Sequence, residues 1–547
     1  MSISGGMSVA NRNVSSMPSA GAELDQAVEA LGSTQAASRG LGNLVWLLAV
    51  GAATTGLCLP FRRYVYWLGD EGILLHGAER ILHGNRLYAD FFEFLPPGGF
   101  VLVAAWFRVA GISVLSARSL AVLTIVGIAC FTYLACQRAS KSAPLSALFT
   151  IGWVAMSQGI WTVVSHHWFT TLFSMITVWA ALSGVNDARR WLRWPLIAGA
   201  TAGMAAMVVE TQGAFVMTAT LLAFWQPRQR PAALVAYLVG CALVPLGLVG
   251  YLVATHTLVP AFRDVILFPA EQYTSIQGLP FGAGANARNW PLEYLFAVAT
   301  GLTVLVTVRN WRAWQWDRIL WLSAAFGVAG FVSCFPRPDM VHIGFVAPLA
   351  LPLILFCIAS LLRQSRSVNR YVIIGVLAVM FVPFAHRYLW TAEKAKEARI
   401  VQTPRGRIAV RGLPGIGRLL RQIAATPRGD TYFFYPYSPM MPFLTGRVDV
   451  SRYDVFTPDY TLPSQYQKAC ISVMRHASWV VIDRQWIDPK FLKTVFPALQ
   501  DPRPLETRRF QRALDDGFEL VVTDGTFELL LRRTSGVNSG LCDDIAR

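Results

Sequence analysis

The chain has 547 residues, 54% of them hydrophobic and only 15% charged, with a mean hydropathy of +0.43. A soluble protein carries about a quarter charged residues, so a soluble globular fold is excluded. The formal net charge of +16 does not point to nucleic acid. Lys and Arg collect in short loops between apolar runs, where the positive-inside rule puts them, and in the C-terminal part. The apolar runs match the thickness of a bilayer core. The expectation is a polytopic α-helical membrane protein of about 11 transmembrane helices plus a juxtamembrane helix, followed by a small C-terminal α/β extracytoplasmic domain.

In chain order, residues 1–41 are rich in Ser, Gly, Ala and Asn and read as a disordered cytoplasmic tail without a cleavable signal peptide. The membrane module covers 42–390, beginning with an anchor at 42–61. An external loop at 62–96 overlaps the stretch YVYWLGDEGILLHGAERILHGNRLYADFFEFLPPGG (64–99). Pro97 to Gly111 makes a helix of about 22 Å, short of the roughly 30 Å core, and is expected to lie in the leaflet rather than cross it. Spans follow at 118–137, 144–161 and 166–184. A helical hairpin over 195–226 breaks at Glu210-Thr211-Gln212-Gly213, and further spans run over 232–254, 291–308, 319–336, 343–362 and 371–390.

Basic breaks at Arg138/Lys141, Arg189/Arg190/Arg193, Arg228/Arg230, Arg309/Arg312/Arg318 and Arg363/Arg366/Arg370 mark the cytoplasmic side. Their alternation places everything after about residue 391 outside. Residues 391–535 change character. Strand-like runs at 431–437, 479–483 and 518–533 alternate with helical patterns at 415–425 and 465–476, as in a small α/β domain. No glycine-rich phosphate loop follows any of these strands. Residues 536–547 read as a flexible tail. The eight cysteines are scattered without metal-ligand spacing and read as buried thiols.

The densest group of ionisable residues beside the membrane is the external loop. At its start, Asp70 and Glu71 can accept a proton from an attacking hydroxyl or amine, or hold a divalent cation. They also fit solvated acids that favour a helix N-terminus. The pattern D-E-G-x-x-L-x-G-A-x-R-I-L-x-G-x-R-L-Y-x-D-F, then P-P-G, resembles the first external loop of the glycosyltransferase C superfamily. The likeness is to its polyprenyl-phosphate-sugar branch, which includes bacterial aminoarabinose transferases and protein O-mannosyltransferases.

The resemblance implies an inverting glycosyltransferase. It would move a sugar from a polyprenyl-phosphate carrier to an acceptor (lipid, glycan or protein) on the outer face of the bacterial inner membrane. Membrane lipids are the surroundings and nucleic acid is no partner. Asp70 becomes the candidate base, Glu71 its orienting or sugar-contacting neighbour, and Tyr88 and Asp90 are matched positions assigned to substrate. No cofactor is certain, and a divalent cation is left open.

The family often places a second acid in the next external loop; here that position reads Ser165-His166-His167-Trp168. His166 and His167 read equally as proton or phosphate ligands and as interfacial residues beside Trp161 and Trp168. Glu210 supplies the missing charge or is a solvated turn residue. The leaving phosphate needs cations. Arg337 with His342, oriented by Asp339, can clamp it, or Arg337 snorkels to the headgroups. Arg80 and Arg86 are further candidates. Loop 255–290, with Arg263, Asp264, Glu271, Gln272 and Tyr273, suits a flap over the site or an idle connector. The rival readings are a transporter or flippase of lipid-linked sugars and a catalytically degenerate relative acting in cell-envelope glycan assembly.

Overall fold

The computed structural model describes residues 41–65, 67–157, 162–186, 191–224, 231–283, 289–309, 311–314, 317–365, 367–534 and 542–546. The tail to residue 40, Trp161, Arg189, Arg190, Arg228, Arg230, Arg366 and residues 536–541 lie outside the described residues. By contacts the chain divides into two compact units, 1–49 and 50–547, and every element after the first helix belongs to the second.

The expected spans find their helices. They are α1 (Leu41–Phe61), α4 (Val114–Ser140), α5 (Ala143–Ser157), α6 (His166–Asn186), α7 (Arg193–Ala206), α8 (Glu210–Phe224) and α9 (Pro231–Ala254). After short helical turns over Leu258–Gln277 come α10 (Leu295–Arg309), α11 (Arg318–Ser333), α12 (Met340–Val346), α13 (Leu351–Gln364) and α14 (Ser367–Lys396). By length and composition five of the described helices can cross a bilayer alone, or six if the bent pair α12–α13 counts as one span. The 62° bend of that pair falls at Pro348 and Pro352, where prolines remove backbone donors.

Polar side chains join the apolar helices. Thr177 on α6 and Thr201 on α7 share a 2.7 Å hydrogen bond, and Thr171 Oγ1 donates to Phe345 O at 2.9 Å. Trp153 Nε1 donates to Gly344 O at 2.9 Å, so α5 and α6 both hold the bent pair.

Between α1 and α4 lie β1 (Tyr64–Val65), α2 (Asp70–Leu82) and α3 (Gly98–Ala110). The C-terminal domain carries β2 (Arg399–Thr403), β3 (Gly406–Val410), β4 (Tyr432–Tyr435), β5 (Trp479–Asp483), β6 (Phe518–Asp524) and β7 (Phe527–Arg532). The strand orders are β1-β3-β2 and β4-β5-β7-β6. Its helices include α15 (Ile416–Ala425), α16 (Met440–Thr445), α17 (Pro463–His476) and α18 (Leu505–Gly517). In α15, Ile416, Leu419, Leu420 and Ile423 are buried at the spacing of one helix face. A core of Phe433, Tyr435, Phe456, Tyr466 and Phe510 lies under α17 and α18.

One strand pairing ties the loop to the C-terminal domain. Tyr64 sits opposite Ala409 in the parallel β1–β3 pair, and Val114 N donates to Arg405 O at 2.9 Å. The stretch 64–114 therefore starts and ends on the C-terminal domain. Within that stretch α3 has 13 residues, about 20 Å, short of the roughly 30 Å bilayer core.

The cysteine expectation needs a correction. Cys470 and Cys542 form a disulfide, while Cys58, Cys130, Cys136, Cys241, Cys334 and Cys357 are free. Their separation of 72 residues carries no motif, and only the fold brings α17 against the chain end. There Cys542 and Ile545 are buried in the domain core.

Candidate active site

The loop stretch folds as a short strand, then α2, then an irregular return into α3. Asp70 and Glu71 occupy the first turn of α2, where carboxylates face the positive end of the helix dipole. The helix start is pressed against the C-terminal domain. Met440 N donates to Leu68 O at 2.9 Å, and a Cβ on Gly72 would lie 2.1 Å from Met440 N, so only glycine permits this approach. The return is set by Gly98, whose N donates to Met207 O at 2.8 Å in the α7–α8 turn.

This docking delivers Tyr437, whose hydroxyl donates to Asp70 Oδ1. The Tyr437 ring lies edge-on to Trp67 at 5.7 Å and Trp486 at 4.9 Å. Asp70 keeps accessible surface although protein surrounds it on nearly all sides, so it lines a crevice rather than an outer face. Burial raises its pKa above the ordinary carboxylate range, against the Tyr437 bond and the positive charges of His342 and Arg337. Tyr273 and Tyr460 feel the same carboxylate, and burial first, then that charge, pushes Tyr273 up to about 12. Phe94 joins these two tyrosines at 5.7 and 5.5 Å.

Glu71 turns away to a structural task. It accepts from Arg118 Nη1 and, at 2.9 Å, from Val164 N, while Arg118 Nη2 donates to Tyr64 O at 3.1 Å. Arg118 is 1% exposed. The knot ties α2, α4, β1 and the turn before α6, and so places His166 and His167 at the α6 N-terminus. Their rings lie 4.1 Å apart, and His167 stacks on Phe345 at 4.6 Å and meets His342 at 5.3 Å. Trp168 is buried against Phe345 at 4.2 Å.

The turn before α12 supplies the charges that act on Asp70. Asp339 caps α12 by accepting from Val341 N and His342 N, each at 3.0 Å, and meets His342 Nδ1 at 2.8 Å. Arg337 Nε donates to Asp339 Oδ2 at 2.9 Å, Nη1 to Gln277 Oε1 at 2.9 Å and Nη2 to Val495 O at 2.8 Å. Burial opposes ionisation of Asp339, yet the bonds and charge of His342, with Arg337, hold it below the usual carboxylate range. Glu210 opens α8 half-buried, and its charge acts on Tyr273. Loop 255–290 therefore reaches the crevice through Tyr273 and Gln277.

Four expected site residues lie apart. Arg80 is ten residues along α2 from Asp70, about 15 Å; it donates to Ser451 O at 2.8 Å and sits 3.4 Å from Asp454. Arg86 and Asp90 pair with each other at the surface, Nη2 to Oδ1 at 3.1 Å. Tyr88 is fully buried and donates to Leu95 O at 2.7 Å. Conversely, Tyr437, Tyr460, Gln277 and Arg118 escaped the sequence reading, because each enters from a distant segment with no local motif. For a divalent cation, no three His, Cys, Asp or Glu converge among the described residues.

No protein-family model matches the chain, and no curated protein matches it. Among solved structures, ArnT from Cupriavidus metallidurans bound to undecaprenyl phosphate is 14% identical. The match covers 91% of this chain and 99% of that one, with a TM-score of 0.52. Apo ArnT aligns over the same shares at 13% identity and a TM-score of 0.49. The arabinofuranosyltransferase AftD from Mycobacteria is 14% identical over 90% of this chain and 40% of its own, with a TM-score of 0.48. The chain is thus a multi-pass membrane protein that shares its fold with ArnT from Cupriavidus metallidurans.

Proposed function

We propose that the chain is an inverting glycosyltransferase that takes a sugar from a polyprenyl-phosphate carrier at the extracytoplasmic face of the membrane. The observation that carries the reading is the Asp70 carboxylate, hydrogen-bonded by Tyr437 and within electrostatic reach of Arg337 and His342, which Asp339 links. An acceptor O–H attacks the anomeric carbon. Its proton passes to Asp70, the bond from that carbon to the phosphate oxygen breaks, and the electron pair leaves with the polyprenyl phosphate. Arg337 uses three of its five N–H groups on protein partners, and the second N–H of each Nη is left to meet the departing charge. Glu71 positions Asp70 through Arg118.

A carrier phosphate of this type suits the fold, since the ArnT structure holds undecaprenyl phosphate. The Cys470–Cys542 disulfide supports an oxidising compartment for the C-terminal domain, and with it for the loop that docks there. The test incubates purified protein with undecaprenyl-phosphate esters of glucose, galactose, mannose, arabinose and aminoarabinose in the presence of membrane extracts as acceptor. Mass spectrometry follows the release of undecaprenyl phosphate. Turnover of one donor is expected, and Asp70→Asn should lower it by about 10²–10⁴-fold. Unchanged turnover in that variant refutes the assignment.

A further inference from the structure

The positive charge of the C-terminal domain is concentrated in its first part. Residues 393–428 carry nine Lys or Arg against two acids, whereas 429–533 carry thirteen of each. The basic part folds as β2, β3 and α15, directly after α14.

The sheet β1-β3-β2 lies across the ends of three helices that are long and apolar enough to span a bilayer. β1 begins three residues after α1 ends, and β2 three residues after α14 ends. The β2–β3 turn holds the start of α4, where Val114 N donates to Arg405 O at 2.9 Å. One face of the sheet is covered by α15, since a Cβ on Gly417 would lie 3.4 Å from Val401. Ile400 alternates to the other face and is 60% exposed, and Leu115, beside Val114, is 64% exposed. The uncovered face therefore borders the leaflet in which α1, α4 and α14 end.

This base is cationic. Gln402 pairs with Arg407 and Ile400 with Ala409, so Arg407 shares the uncovered face with Ile400. Arg63 O accepts from Ala409 N at 2.6 Å, two residues from Arg407, which puts the two backbones within about 10 Å. Arg62, Arg63 and Arg407 are exposed, with Lys396 and Arg399 at the edge. None of the five has an acidic partner among the described residues, and Arg407 meets only Gln402 at 3.3 Å. The nearby acids are taken: Glu397 pairs with Lys394 at 2.8 Å and Arg411 at 3.1 Å, and Glu79 pairs with Arg405.

On the expected topology this side lies opposite the basic cytoplasmic breaks, so the positive-inside rule does not account for these cations. Crowded like charges repel one another, and anions supplied by the neighbouring leaflet relieve that repulsion. A guanidinium grips a phosphate oxygen pair, while Ile400 and Leu115 suit the acyl boundary. We propose that the base of this sheet docks on anionic phospholipid headgroups, held by Arg62, Arg63 and Arg407. The inference does not depend on sugar transfer.

In the experiment the purified full-length protein in a neutral detergent meets an equimolar mixture of phosphatidylglycerol and phosphatidylcholine with identical acyl chains. Native mass spectrometry counts the lipids retained. Phosphatidylglycerol should exceed phosphatidylcholine about fivefold or more, and Arg62→Gln/Arg63→Gln/Arg407→Gln should cut that ratio about threefold or more. Arg407→Gln alone should show part of the same loss, which keeps the test open if the triple variant does not fold. Arg503→Gln/Arg508→Gln/Arg512→Gln, three exposed cations of the electrically balanced part, should keep the parental ratio. Equal retention of the two lipids by the parent overturns the inference. So does a ratio unchanged in both base variants, or an equal fall in the Arg503 set. Displacement of phosphatidylglycerol by inorganic phosphate also overturns it, because the patch is then a site for free anions.

Discussion

Replacing Tyr437 with Phe removes one hydroxyl and leaves the ring between Trp67 and Trp486 in place. The hydroxyl donates to Asp70 and favours its ionised form. A hydrogen bond to a charged group contributes about 1.5–3 kcal/mol. The lower end, about 1.5 kcal/mol, applies here, because Asp70 keeps access to solvent that can replace part of the bond. A base must be ionised to act. Burial already raises the Asp70 pKa, so activity falls as pH drops through that raised value. Without Tyr437 the pKa rises further and the acid limb of kcat/KM moves to higher pH. Below the limb, Tyr437→Phe should turn over donor about tenfold more slowly than the parent, and at alkaline pH the two should converge. The assay is undecaprenyl phosphate release across a pH series. A parallel loss at every pH, or a limb displaced to lower pH, would refute the link between the hydroxyl and the base.

The Arg118 knot should show in stability. Arg118→Met leaves Glu71 with only the Val164 N–H and should cost about 3–5 kcal/mol, read as a lower Tm in detergent, and pairing it with Glu71→Met should recover part of the loss. An unchanged Tm in the single variant contradicts the structural role. Gly72→Ala drives a methyl into the Met440 backbone and should cost about 1–3 kcal/mol while loosening Tyr437 from Asp70. A variant with parental Tm and turnover counts against the docking of α2. Arg337→Met should weaken retention of undecaprenyl phosphate in native mass spectrometry about 10-fold or more; equal retention removes the guanidinium from the phosphate role.

Much of this architecture was legible in the chain, because periodic apolar runs and interrupting charges are local signals. The strand at 479–483 came from residues adjacent in sequence, whereas the break expected at 210–213 falls at residues 207–209, and the four expected residues instead open α8. The crevice was legible only where it rests on such segments: Asp70 from the loop motif, and Arg337, Asp339 and His342 from one short turn. Tyr437 was not, since it lies 367 residues from Asp70 and looks like any strand-end aromatic. Asp70 and Glu71 look alike as adjacent acids in sequence, and only the buried guanidinium of Arg118, 47 residues on, separates their surroundings. The Cys470–Cys542 bond was invisible for the same reason of distance.

The β1–β3 pair has a consequence for biosynthesis. Tyr64 and Val65 leave the ribosome early, but Ala409 and Val410, with which they pair, follow only after every membrane helix has been made. Until then α2 has no Met440 to rest on and Asp70 no hydroxyl partner. A nascent or truncated chain thus holds Asp70 without its partner, and assembly of this site reports that translation has reached the far domain.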